Sequence, residues 1–62
     1  MYTLAIGRRF KGVANSFEEA SKIYSDLRDE SGEGASSWPW GKIKHGSKLV
    51  AEISYNGRVW EK

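Results

Sequence analysis

With 62 residues and a net charge of +2, the chain is one domain at most, and a domain of this size buries only about 60% of the surface its unfolded form exposes. It has no cysteine and a single histidine, which excludes a disulfide staple and a thiolate or histidine-rich metal site. The net charge hides a segregation: residues 16 to 34 carry six acids and two bases, a net −4, and the remainder carries eight bases and two acids, a net +6.

Burial must therefore come from the aromatics, each able to remove roughly 150–250 Å² from water, or from association. No apolar run approaches membrane-spanning length. The opening MYTLAIGRRF has too short an apolar stretch, followed by its arginines, to read as a signal peptide. The expectation is a cytoplasmic domain with no membrane partner.

Tyr2, Leu4 and Ile6 alternate with Thr3 and Ala5, the period of a half-buried strand. Phe10 to Val13 offers a further short strand after Gly7. Ser16 followed by Glu19 is a capping box, in which the hydroxyl accepts from an early helix amide and the glutamate reaches back to the cap amide. Phe17, Ala20, Ile23, Tyr24 and Leu27 then recur on one helical face. Glu18 and Lys22 form a favourably ordered i,i+4 pair, and Gly32 is a natural C-terminal stop. These signals predict a helix over residues 17–30. GEGASS then reads as a flexible connector, and in WPW the residue before Pro39 is pushed out of helical geometry.

Residues 42–62 read as three strands. Asn56-Gly57 signals a hairpin with two central residues of positive φ, which pairs Ile53 with Trp60 and Glu52 with Glu61. At His45-Gly46-Ser47 a two-residue loop would set Lys44 opposite Leu49, and a three-residue loop would set Ile43 opposite Leu49. Register follows the hydrophobic pattern, so the three-residue loop is preferred. On this reading Leu49, Ala51, Ile53, Tyr55 and Trp60 face the helix, while Lys42, Lys44, Lys48, Val50, Glu52, Ser54, Val59 and Glu61 share the open face. The expected fold is α+β: a small antiparallel three- to four-stranded sheet with one helix on one face, β-α-β-β-β, or ββαβββ if Phe10 to Val13 pairs.

Catalytic motifs are near misses. GEGASS has Ser37 where a dinucleotide loop needs its third glycine, and it follows a helix. SSWPWGKI has Ser36 in place of the first phosphate-loop glycine and Ile43 in place of the hydroxyl residue that meets magnesium. DESGE lacks the ligand spacing of a calcium loop. His45 sits in a predicted turn with no nucleophile beside it. The reading is a non-enzymatic domain with no catalytic residue, cofactor or metal ligand.

Three features carry functional information. Arg8, Arg9, Lys42, Lys44 and Lys48, with Trp38 and Trp40, form a basic and aromatic set of the kind that neutralises phosphates and stacks bases. The plainer reading is that the tryptophans fill a small core and the lysines keep sheet edges soluble. Glu52 and Glu61, expected opposite one another on the open face, weigh against phosphate binding. The second feature is the acidic helix end, Asp29, Glu30 and Glu33, where the dipole disfavours negative charge. Either the helix stops near Arg28, or basic residues elsewhere neutralise these acids, or they dock a basic partner. The third is WPW itself, a natural interface anchor wherever a tryptophan is exposed; at most one of Trp38 and Trp40 is expected to be.

PWGKI, VAEI, GRVW and SFEEASKIY resemble pieces of the plant ethylene-response type of DNA-binding domain. The resemblance implies a sheet packed on a helix and nucleic-acid binding. In that family the strands precede the helix and here the matching strands follow it, so no DNA-contacting residue is carried over. The expected function is a small binding module for another protein or for a second copy of itself, acting through the sheet edge or open face and the Trp38–Trp40 segment. The alternative is sequence-tolerant nucleic-acid binding by Arg8, Arg9, Lys42, Lys44 and Lys48 with stacking by Trp38 or Trp40.

Overall fold

In the computed structural model, which describes residues 1–34 and 36–62, the elements run β1 (Tyr2–Ile6), β2 (Phe10–Ala14), α1 (Phe17–Ser31), β3 (Gly41–His45), β4 (Lys48–Ile53) and β5 (Val59–Glu61). The five strands form one antiparallel sheet in the order β2-β1-β3-β4-β5. The fold is thus ββαβββ, and Phe10 to Val13 supplies the fifth strand as part of β2. β1 and β2 form a hairpin, the chain crosses through α1, and β3 returns to the other side of β1.

The helix begins as the capping box predicts. Ser16 is extended and its Oγ accepts from the Glu19 amide at 3.1 Å. The glutamate overshoots by one residue, accepting from the Asn15 amide at 3.3 Å instead of the Ser16 amide. The last turn reaches Ser31, and the Gly32 amide closes on the Arg28 carbonyl. The expected Glu18–Lys22 pair does not form: Lys22 Nζ bonds Asp26 at 3.1 Å. Ala35 of the GEGASS connector lies outside the described residues.

One face of the sheet meets α1. Leu4, Ile6, Ala14, Ala20, Tyr24, Trp38, Ile43, Ala51 and Ile53 form the core. Tyr24 is fully buried above Gly41, and its hydroxyl donates to the Pro39 carbonyl at 2.9 Å. Burial of this phenol raises its pKa, with Tyr55 adding to the rise and Arg28 opposing it. Trp38 packs at 6.3 Å, centroid to centroid, from Tyr24.

Two registers differ from the sequence expectation. At β3–β4 the loop is the two-residue turn Gly46-Ser47, closed by His45 and Lys48, with Gly46 at φ 66, the first-position positive φ of a II′ turn. The hydrophobic pattern is restored by a bulge: Lys44 faces Leu49, Ile43 faces Ala51, and Val50 is the extra residue. Val50 therefore packs against the core and Leu49 moves to the open face, the reverse of the expectation.

At β4–β5 the loop holds three residues. The Gly57 amide donates to the Ser54 carbonyl at 2.8 Å, and the Ser54 amide to the Arg58 carbonyl at 2.9 Å. Only Gly57 has positive φ, 90°; Asn56 does not. This is a turn followed by a glycine bulge, not the expected turn with two left-handed residues. Asn56 explains the choice, because its Oδ1 accepts from the Arg58 amide at 3.1 Å and from the Ser54 hydroxyl. The pairs become Ile53 with Val59, Glu52 with Trp60 and Ala51 with Glu61. A slip of one residue exchanges the faces of β5: Val59 turns inward, Trp60 turns outward, and Glu61 leaves its place opposite Glu52.

Candidate functional site

The second face of the sheet is uncovered. Its cross-strand rows run Lys11–Ala5–Lys42–Glu52–Trp60 and Val13–Thr3–Lys44–Leu49. None of these nine residues is buried. From Lys11 to Trp60 the longer row crosses four strand spacings, about 19 Å.

Three further side chains join this surface. Gly41 faces the helix, since a Cβ there would meet Tyr24, Leu4 and Ile53, so its neighbours Trp40 and Lys42 lie on the opposite side. Arg58 stands two residues before Trp60 and lays its guanidinium 4.3 Å from the indole centroid. Lys62 stands two residues after Trp60, and its Nζ bonds Glu52 at 2.9 Å.

The electrostatics follow. Glu52 is the one carboxylate in these rows, and Lys62 neutralises it. Lys11, Lys42, Lys44 and Arg58 have no carboxylate partner among the described residues. Trp40 and Trp60 are 48% and 45% exposed. The face thus offers four uncompensated cations and two accessible indoles on one surface.

The residues expected at a binding site separate into two groups. Lys42, Lys44 and Trp40 lie on the open face. Trp38 is 5% exposed and belongs to the core, where its indole Nε1 has no partner among the described residues. Arg9 caps that ring, its guanidinium 5.3 Å from the centroid, and pairs with Glu33. Arg9 thereby neutralises part of the acidic helix end, and Arg28 pairs with Asp29 at 3.1 Å. Arg8 is exposed in the β1–β2 loop, and Lys48 pairs with His45 across the hairpin, away from the two rows.

The residues sequence reasoning missed are Lys11, Arg58 and Trp60. Lys11 follows from pairing β2 to β1. Arg58 and Trp60 follow from the three-residue turn, which the letters Asn56-Gly57 do not distinguish from a two-residue one and which the Asn56 side-chain contacts decide.

Fold and site together define a small ββαβββ domain with one sheet face sealed by a helix and the other basic, aromatic and free. No family model, curated protein or solved structure matches the chain. The likeness to the ethylene-response type stays at the level of fragments, since two strands here precede the helix and five make the sheet.

Proposed function

We propose that the open sheet face binds single-stranded nucleic acid with little sequence preference. The observation that carries this is the β5 register. It brings Trp60 and Arg58 onto the face that already holds Lys11, Lys42, Lys44 and Trp40, and it takes Glu61 off that face. Indole faces stack any base and lysines neutralise phosphates, which is the recognition mode of sequence-tolerant single-strand binders. Bases within a duplex keep their faces stacked on one another, so an indole platform favours unpaired strands.

The test is a fluorescence titration with mixed-sequence single-stranded and duplex oligonucleotides at low and near-physiological salt. Saturable quenching by single strands that weakens with salt is expected, and its loss on Trp60→Ala assigns the signal to the open face. Absence of any quenching at low salt refutes the proposal.

A second reading, association of the sheet edge with a protein strand, draws on β2. This strand is an edge of the sheet, and its Val13 is 60% exposed. An unpaired edge can accept a strand from a partner. Concentration-dependent dimerisation, weakened by Val13→Lys and indifferent to oligonucleotide, would favour it.

A further inference from the structure

The open face is not level. β1 contributes only Thr3 and Ala5 to it, between Lys11 and Val13 of β2 and Lys42 and Lys44 of β3. Neighbouring strands lie about 4.8 Å apart, so Lys11 and Lys42 leave the backbone about 9.6 Å from one another across the methyl of Ala5. The small residues form the floor of a depression of about 320 Å³ lined by Thr3, Ala5, Lys11, Lys44, Gly46 and Ser47. Lys11 and Lys44 stand on opposite sides of it, and the Gly46-Ser47 turn closes one end.

The donors define the ligand. Two ammonium groups provide three N–H donors each, and the Thr3 and Ser47 hydroxyls add neutral ones. Among the described residues no carboxylate lines the depression. Cations on two sides suit a ligand with oxygens on several sides and more than one negative charge. A phosphate group meets both conditions, carrying about −1.5 to −2 as a monoester at neutral pH.

We infer that this depression is a phosphate seat. Resting on the nucleic-acid reading, it holds a phosphate of the bound strand, with the bases extending across β3 and β4 toward Trp60, about 14 Å away over three strand spacings. Ala5 is the residue that makes the seat, because a longer uncharged side chain such as leucine fills the floor without changing the charge.

Titration of the ¹⁵N-labelled chain with inorganic phosphate, against chloride at matched ionic strength, tests this by amide chemical shifts. Saturable shifts concentrated at Thr3, Ala5, Lys11, Lys44, Gly46 and Ser47 are expected with phosphate and not with chloride. Lys11→Gln or Lys44→Gln should weaken phosphate at least about fivefold, which corresponds to the ~1 kcal/mol of a charge pair at 4 Å in water. Ala5→Leu should remove the shifts while the remaining spectrum keeps its dispersion. Shifts no larger than those with chloride, or spread equally to Lys22 and Lys48, overturn the seat. The two proposals fail separately. Phosphate shifts without oligonucleotide quenching leave the seat and remove the strand. Quenching that Ala5→Leu does not weaken leaves the strand and removes the seat.

Discussion

Replacing Lys42 and Lys44 together by glutamine removes two charges from the open face and adds no repulsion. Each lysine is exposed and lacks a carboxylate partner among the described residues, so the fold should tolerate the change within about 0.5 kcal/mol. The effect on binding follows from counterion release, which for single strands lowers the logarithm of affinity by about 0.7 per neutralised phosphate for each tenfold rise in salt. Four unpaired cations on the face, Lys11, Lys42, Lys44 and Arg58, give a slope of about −2.8 and a loss of about 50-fold between about 50 and 200 mM salt. The double variant retains two, giving a slope of about −1.4 and a loss of about sevenfold. The assay is tryptophan quenching by a short single-stranded oligonucleotide at four or five salt concentrations. A double variant whose slope equals that of the parent would take the phosphate contacts off Lys42 and Lys44 and refute their assignment.

Trp38→Ala and Trp60→Ala should part company. The first empties a core position and should cost about 3–5 kcal/mol, enough to abolish the cooperative melt of so small a domain. The second should cost no more than about 1 kcal/mol from the lost Arg58 contact, yet remove about 1–3 kcal/mol of base stacking. Thermal melts and oligonucleotide titrations on both variants check this, and unfolding of Trp60→Ala would assign that ring to the core. Because burial raises the Tyr24 pKa, the folded state holds this proton more tightly than the unfolded chain. The stability linked to it is complete below about pH 10 and falls as pH rises through the higher folded value. Guanidinium unfolding from about pH 9 to 11.5 should show a steeper alkaline decline for the parent than for Tyr24→Phe. Tyr2 and Tyr55 are common to both proteins, so equal declines would count against the buried phenol. Gly57→Ala places a Cβ 2.9 Å from Ser25 Oγ at φ 90. It should destabilise by about 1 kcal/mol, lowering Tm by about 4–8 °C, and an unchanged Tm would contradict the turn geometry.

What was readable in the sequence was what short spans decide. The helix start rests on Ser16 and Glu19, three residues apart, its inner face on a period maintained from Phe17 to Leu27, and its end on Gly32. The first strand follows from alternation alone. The two hairpin registers were harder because each turns on one residue. Asn56-Gly57 suits two loops equally as letters, and the choice between them lies in an Asn56 side chain that accepts from Arg58 and Ser54. Leu49 and Val50 are interchangeable as hydrophobics, and only the bulge at Val50 decides which enters the core. The candidate site inherited both difficulties. Lys42 and Lys44 were identifiable because β3 has one inward pattern, whereas Trp60 changed faces with the turn. Trp38 and Trp40 look alike as letters, and only the fold separates them, packing Trp38 against Tyr24 and leaving Trp40 exposed.

The helix side and the open face also differ in sign: residues 16–34 carry a net −4, while Lys11, Lys42, Lys44 and Arg58 lie on the open face with no carboxylate partner among the described residues. A body with one acidic side and one basic side is an electric dipole, and its positive pole is the uncovered face. Near a polyanion it experiences a torque that presents this face first, so fewer diffusional encounters are wasted on the wrong side. The same polarity has a cost among copies of the chain. The nearest anionic surface in a concentrated, low-salt solution is another molecule's helix, so on the nucleic-acid reading head-to-tail stacking, helix against sheet, would compete with the proposed strand. Added salt would relieve that competition as it weakens the proposed binding, so on this reading occupancy at high protein concentration should peak at an intermediate ionic strength.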